Sequence, residues 1–594
     1  MSFFRRSTPK NLDQQLVFQL SKSRIPSLRQ LKYITRYINK PERWLLGVCV
    51  ALMGASLIYM GIQVYKNHVV LIPKAGGDYI EGAVGNPRYI NPLYASLNDV
   101  DGDLEKLIFS RLFSVNGKGQ AVNDLAEDYS LSEDGKTYTI HLRKASWPTG
   151  EAVTADDVVF TFNAIENPDF KSPLRDRFSG VIVQKIDDQT VSFTLREPFG
   201  RFPAMLDVGI LPSSQWEGVS SETIPLAELN LKPIGSGPYR FKSLVKNKTG
   251  TIRSFTLERN PDYYGAKPYL DEIIFKFFPS PEEMIASLNN GQLNGMSYLP
   301  ADLGDTIIAK NSLHYNAIAE PNLSAAFFNL KSQGPIADAA VRRALSAVDR
   351  STIISNSNMA AIPALGPLPN NQPASAIAPL TKEEAKILLD NAGWKERTLS
   401  SEEVEAAKSA KNSGDIVRLG VGTWRMKNNA GLIIPLIAPT SLKASAEALT
   451  KDWQSLGAKV ELTIQDDAVV RDQTLANKRF DVLVYTEALA GGEPYLFWHS
   501  DAPGNISGYK SSAADTALEE ARTAANPETI ASRYNSFLAT FNADMPAVPL
   551  FWQAYVYPQS KKLKGFNQSF LENPSDRLSG AAAWYLKVER SFKK

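Results

Sequence analysis

Catalytic and metal chemistry need particular side chains at particular spacings, and this chain of 594 residues holds few of them. It has one cysteine, Cys49, and four histidines, at 68, 141, 314 and 499. One thiol excludes an intramolecular disulfide and any cysteine-built zinc or iron–sulfur cage. Four scattered histidines leave little for a histidine-built metal site. The sequence contains no H-E-x-x-H, no G-x-x-x-x-G-K-[ST] and no G-x-S-x-G. Ser243-Leu244-Val245-Lys246 matches S-x-x-K, and Lys248-Thr249-Gly250 matches K-T-G. Those motifs surround a serine nucleophile only when they come from distant parts of a chain. Here they fall within eight residues on a lysine-rich loop between strands, which makes the match a coincidence. His141 falls on the polar face of a strand pattern and is expected to be solvated or hydrogen-bonded. His499, after Trp498 in a loop, is the one histidine kept near a site.

From Gly76 onward the elements that must position side chains alternate between strand and helix. Tyr138, Ile140 and Leu142 share one face of Thr137–Arg143, which is strand period. Val191, Phe193 and Leu195 repeat it, as do Val460, Leu462 and Ile464. Helix starts are marked by Thr154 with Asp157, Ser280-Pro281 with Glu283, and Thr381 with Glu384. The last two helices are expected to stop at Gly291 and Gly393. This alternation predicts an α/β class. The stretch Pro363–Pro379 reads as a long ordered loop or a surface crossing.

The net charge of +2 gives no pull toward nucleic acid, but it hides an asymmetry. Residues 1–43 carry ten Lys/Arg and two acids, residues 44–65 carry no charge, and residues 66–594 carry 55 basic and 61 acidic groups. The uncharged run would form a helix of about 33 Å, enough to span a bilayer. Its basic flank is N-terminal, which places residues 1–43 in the cytoplasm and the rest outside. A cleaved signal peptide is disfavoured by the length of both segments and the lack of a small-x-small site. A lipoprotein signal is disfavoured because Val48 precedes Cys49 near the start of the run. A buried core helix is disfavoured by length and flanks. The reading is a basic cytoplasmic arm over 1–43 and a transmembrane signal anchor over 44–65. The sequence leaves open whether the arm is disordered or lies on anionic lipid.

Several segments then fall in a recognisable order. Gly76-Gly77-Asp78-Tyr79-Ile80 is followed by Asn91-Pro92-Leu93, and Leu125-Ala126-Glu127 by Ser132-Glu133-Asp134-Gly135-Lys136-Thr137-Tyr138. Leu142-Arg143-Lys144-Ala145-Ser146-Trp147 precedes Val153-Thr154-Ala155-Asp156-Asp157-Val158. Gly235-Ser236-Gly237-Pro238-Tyr239-Arg240-Phe241, Arg259-Asn260-Pro261-Asp262-Tyr263-Tyr264 and Val341-Arg342-Arg343-Ala344-Leu345-Ser346 with Asp349-Arg350 complete the series. In order and spacing over about 74–570, these segments resemble the bacterial extracellular solute-binding proteins of family 5, the peptide- and nickel-binding group that serves ABC importers. The resemblance implies a two-lobed α/β fold of periplasmic-binding-protein type (type II, the large cluster-C form), here preceded by one N-terminal transmembrane helix. Lobe I would comprise 74–325 completed by 545–594, and lobe II would comprise 326–544.

It also implies that ligand is enclosed between the lobes. In the peptide-binding members an Asp four residues before the Pro of an acid-Pro step grips the peptide amine. Here that step resembles Glu493-Pro494, and Ala490 stands at the Asp position. An unpaired buried ammonium is costly. Either Glu487 or Glu493 supplies the charge from a shifted position, or the ligand has no free amine there. Trp424, after the strand-like Val417–Gly422, and Tyr485 and Trp498 are candidates to line the cleft as tolerant apolar surface. Asn505 and Tyr509 are candidates to bond a ligand backbone. The expected protein is not an enzyme and needs no cofactor or metal. It would be a single-pass cell-membrane protein with its binding domain outside, capturing an oligopeptide-like solute and docking on an importer's membrane subunits. The rival is a surface interaction or sensing module on the same fold; a hydrolase is a distant third.

Overall fold

The computed structural model describes residues 39–118, 120–308, 310–357, 359–369, 378–410, 414–489 and 493–592. The arm up to residue 38, residues 370–377 of the Pro363–Pro379 stretch, and Ala490 lie outside the described residues. The chain divides into two compact units. One holds the N-terminal segment to Pro73 together with Val588–Lys594, and the other is Lys74–Lys587.

In the first unit, Lys40–His68 is a single helix that contains the expected 44–65. Trp44, Leu52, Ile58 and Tyr59 are exposed on it, so among the described residues no protein face covers its apolar surface. It is long and apolar enough to cross a membrane. The strand Val69–Lys74 follows it and pairs with the C-terminal strand Lys587–Phe592. Arg590 Nη1 donates to Tyr65 Oη at 2.9 Å.

The second unit is built on a mixed sheet. The strands on its main path, in chain order, are β1 (Asp78–Val84), β2 (Tyr239–Lys246), β3 (Ile252–Arg259), β4 (Glu272–Phe278), β5 (Gly295–Met296), β6 (Leu313–Phe328), β7 (Ile433–Pro439), β8 (Lys459–Gln465), β9 (Val482–Ala488) and β10 (Ala547–Ser560), and the short strand Ala361–Pro363 pairs with β10 off that path. Their order across the sheet is β8-β7-β9-β6-β10-β5-β1-β4-β3-β2. Apolar side chains gather in two large clusters. One draws on residues between Tyr79 and Ile318 and between Tyr555 and Trp584. The other draws on residues between Ala319 and Trp552, joined by Phe570. The long strands β6 and β10 contribute to both clusters and join them.

Local chemistry explains the elements read from the sequence. Thr137–Leu142 is a strand whose Tyr138, Ile140 and Leu142 are buried. Capping boxes start the helices Ala155–Glu166 and Lys382–Asn391, and Ser280 caps Pro281–Asn289. The expected strand over Val417–Gly422 is corrected. Ile416–Leu419 is a helical turn, Gly420 ends it, and the strand begins at Gly422. His141 is exposed, with Nδ1 2.6 Å from Asp128 Oδ1.

Several of the motifs that carry the resemblance serve as scaffold. Asp157 accepts from Thr154 N, Trp147 Nε1, Ser213 N and Ser213 Oγ, so one carboxylate ties its own helix start to two other segments. Arg342 donates to the carbonyls of Ile336, Ala337, Asp544 and Met545. Gly235 and Gly237 lie flat against the end of the helix Asp99–Ile108. A Cβ on either would sit 2.2 and 2.6 Å from Ile108 O, a contact that only glycine avoids.

Candidate ligand-binding cleft

Strands β6 and β10, which run through both clusters, carry a break in their pairing. β6 and β10 pair from Leu313↔Ser560 to Phe327↔Ala547, with a register shift between Ala319 and Leu323. Glu320, Pro321 and Asn322 fill the gap. Pro321 has no N–H to give the ladder, which is why regular pairing fails there. The free backbone groups find other partners. Ala319 N donates to Ser569 O, Leu571 N to Ala319 O, and Leu489 N to Pro321 O.

β9 pairs with β6 beside this break, from Asn322↔Ala488 to Phe328↔Val482. Its first three residues are buried and its last four emerge from the core. Tyr485 and Glu487, two apart, share one face. Thr486 faces the other way and its hydroxyl lies 2.7 Å from Ser324 Oγ. Glu487 is half-buried and has no hydrogen-bond or ion-pair partner among the described residues. Burial alone pushes its carboxyl up to about 7. The Tyr485 phenol is raised by burial first and by the Glu487 charge second, which places the two side chains near each other.

The other expected ligand residues stand apart from this pair. Trp498 is 3% exposed, stacked on Phe327 and edge-on to Phe541. Asn505 spends its amide on Tyr509 N, Tyr509 O and His499 O. Tyr509 is buried and donates to Asp544 Oδ2 at 2.8 Å. These three side chains are held inside the second cluster, and their polar capacity, apart from the Trp498 Nε1, is already used there. Trp424 lies on Gly422–Lys427, packs beside a small cluster with Leu419 and Met426, and donates its indole N–H to Gly420 O. His499 is also internal, with Nε2 3.1 Å from Glu519 and Nδ1 accepting from Asp501 N. Glu493 is buried, accepts from Tyr495 N, and lies 3.8 Å from Arg201.

Sequence reasoning missed a clasp between the two clusters. Gly200 N donates to Arg522 O at 2.9 Å. The Arg522 guanidinium lies over Tyr495 at 4.7 Å and Phe199 at 5.7 Å. Arg201 reaches both Glu493 and Glu572. Burial pushes the Glu572 carboxyl up to about 7 against the pull of Arg201. These groups wall a cavity of about 550 Å³. A Cβ on Gly200 would sit 1.8 Å from Ala524 O, so Gly200→Ala must part the clasp. One neutral hydrogen bond and one ion pair weaken, about 1 kcal/mol each at most, so ligand affinity should fall by up to about thirtyfold. Small-angle scattering of the unliganded variant should show a larger radius of gyration than the parent; an unchanged radius would count against the clasp.

Behind the break lies a buried charge network. Arg577 donates to both Asp103 oxygens and to Glu81 Oε1, with none of the three side chains more than 2% exposed. Tyr557 Oη donates to Glu81 Oε2 at 2.7 Å. Burial is the largest influence on Asp103 and holds its carboxyl at about 6 despite Arg577. Lys106 bridges Asp207 and Asp576, and Arg111 bridges Glu105 and Asp207. Among the described residues, no group of three or more His, Cys, Asp or Glu could hold a metal ion.

Known proteins match this arrangement over most of the chain. Residues 120–507 match the family described as "Bacterial extracellular solute-binding proteins, family 5 Middle". The oligopeptide-binding protein AppA of Bacillus subtilis is 26% identical over 86% of this chain and 92% of its own length. The dipeptide-binding protein of Escherichia coli is 32% identical over 46% of this chain and 54% of its own. The solved ABC transporter substrate-binding protein CtaP of Listeria monocytogenes superposes with a TM-score of 0.62 at 26% identity, covering 86% of this chain and 100% of that one. The unliganded open form of the murein tripeptide-binding protein MppA gives 0.71 at 21% identity, covering 88% and 99%, and speaks for the fold alone. With a two-lobed α/β fold and the family match over well over half its length, the chain belongs to the bacterial extracellular solute-binding proteins of family 5, a family of binding proteins and not of enzymes.

Proposed function

We propose that this protein is a membrane-anchored binding protein that captures an oligopeptide-like solute between its lobes and delivers it to the membrane subunits of an ABC importer. Glu487 carries the reading: a partly buried carboxylate, unpaired among the described residues, beside the break in the crossing strands. Such a group calls for a cation from outside the chain. An ammonium suits it, and Tyr485 offers a flat apolar wall beside it. The peptide-binding names of the relatives support the class. The lobe limits 74–325 with 545–594, and 326–544, belong to the same proposal; the two apolar clusters divide close by, between Ile318 and Ala319 and between Trp552 and Tyr555. The anchor belongs to it too: the Lys40–His68 helix is uncovered by protein among the described residues, with the basic arm on its N-terminal side in the cytoplasm. Ligand contacting both lobes would stabilise a closed form.

One experiment tests the whole reading. The full chain is extracted from membranes in mild detergent, and native mass spectrometry reads its mass before and after release of its cargo. We expect the uncleaved 65.4 kDa and a mixed population of short peptides. A mass lacking the first 65 residues would remove the anchor. A single non-peptide solute would overturn the substrate class. An empty cleft that no peptide pool protects against thermal unfolding would transfer the assignment to an interaction module.

A further inference from the structure

A second cavity, of about 480 Å³, reaches the same break at Glu320. Glu320 lines it, reaching in from β6 within the unpaired stretch between Ala319 and Leu323. Like Glu487, Glu320 has no hydrogen-bond or ion-pair partner among the described residues. Burial raises its carboxyl above the ordinary range. Tyr298 forms another wall. Its ring packs on Tyr555 at 5.0 Å, Tyr555 Oη donates to Ser297 O, and the Glu320 charge acts on the Tyr298 hydroxyl. Tyr298 is still 45% exposed, so part of its surface is open to a bound molecule.

The charge of the lining is one-sided. Asp99, Asp103 and Glu320 face one base, Arg577. Arg577 spends both Nη groups on Glu81 and on the two oxygens of Asp103, and only its Nε is without a hydrogen bond. Two carboxylates thus already share its single charge, and it makes no ion pair with Glu320 among the described residues.

An unpaired, partly desolvated carboxylate beside an aromatic ring in an open cavity is chemistry for a cation, which gains both an ion pair and a cation–π contact. We infer that this cavity is a subsite for a cationic side chain of the bound solute, held between the Glu320 carboxylate and the Tyr298 ring. The protein thereby selects solutes with a second positive charge in addition to the one met by Glu487. This inference rests on the peptide reading given above and narrows it to basic peptides.

The test uses the full chain in detergent and three sets of alanine tetrapeptides. Lysine, norleucine or glutamate occupies each position in turn, and affinities are read by calorimetry. The parent protein should bind the best lysine peptide about tenfold or more tighter than its norleucine counterpart, which has the same length and no charge, and the glutamate peptide weakest. In Glu320→Gln the lysine advantage should vanish while norleucine affinity stays as in the parent, which also shows that the variant is folded. A lysine advantage that survives in Glu320→Gln overturns the subsite. So does equal binding of lysine and norleucine peptides by the parent, although the peptide reading then stands. Binding of no tetrapeptide by either protein overturns both.

Discussion

Replacing Glu487 by Gln should weaken binding of amine-bearing ligands about 10- to 100-fold, the worth of one charge-assisted hydrogen bond in a sheltered site. The glutamine keeps the shape and removes the charge, so the loss should fall on cationic ligands and spare neutral ones. The pH profile adds a sharper signature. Burial holds the free carboxyl at about 7, above its ordinary range. An ammonium ligand binds the ionised form and lowers that value, so binding releases a proton whenever the site starts out protonated. Affinity should therefore be full just above pH 7 and fall by up to about tenfold per unit as pH drops below it. Above pH 8 it should fall again as the ligand's α-amine loses its own proton. Glu487→Gln should lack the acid limb and keep the alkaline one. Calorimetric titrations from pH 5 to 9 decide the matter; a parent profile that is flat through pH 7 would remove Glu487 from the site.

The second large effect concerns stability. Arg577→Leu should cost about 3–5 kcal/mol, because it leaves Glu81 and Asp103 buried without their cation. Adding Asp103→Asn and Glu81→Gln should recover much of that loss, since neutral amides cost less to bury than orphaned carboxylates. The direction with pH follows from the protons. Asp103 titrates at about 6 in the folded protein, above its ordinary 3.8, and losing Arg577 raises it further. The folded state then holds more protons than the unfolded one, so stability declines as pH rises through that window. Urea denaturation of Arg577→Leu should show a smaller defect at pH 5 than at pH 8. Equal defects at both values would mean that the network acts by packing and not by charge.

Much of the scaffold was readable because its signals are local. A capping box needs residues three apart, and Thr154 with Asp157 and Thr381 with Glu384 both form one. Strand alternation in Thr137–Leu142 and Lys459–Gln465 is equally local. Val417–Gly422 misled because a short apolar run bounded by glycines fits a strand or a helical turn equally well. The site was harder to read. Residue type cannot distinguish a cleft aromatic from a core one, and Trp498 and Tyr509 went into the core. Glu487 was singled out as a loop residue just after Phe480–Tyr485, near the acid-Pro step; it lies instead on β9 itself, which runs on to Ala488. Glu320 gave no such signal, since its meaning depends on a register break against a strand more than 200 residues away. Gly200 is similar: only its contact with Ala524 explains why it has no side chain.

The membership of the first apolar cluster also sets a timetable for making the protein. Its residues before Ile318 are synthesised early, but Tyr555, Tyr557, Leu571, Leu578 and Trp584 come at the far end. β6 likewise waits for β10, which lies more than 200 residues downstream and pairs with it in the middle of the sheet. At bacterial elongation rates that gap is on the order of ten to forty seconds. During it the edge of β6 and the unfinished core are open to wrong partners, and the nascent chain is at its most prone to aggregate. Folding of this part cannot be completed piecemeal as the chain emerges, because the closing strand is among the last segments made. A helper that shields exposed strands, or slow early collapse of Tyr79–Ile318, would matter more here than for a protein whose apolar clusters are each continuous in sequence.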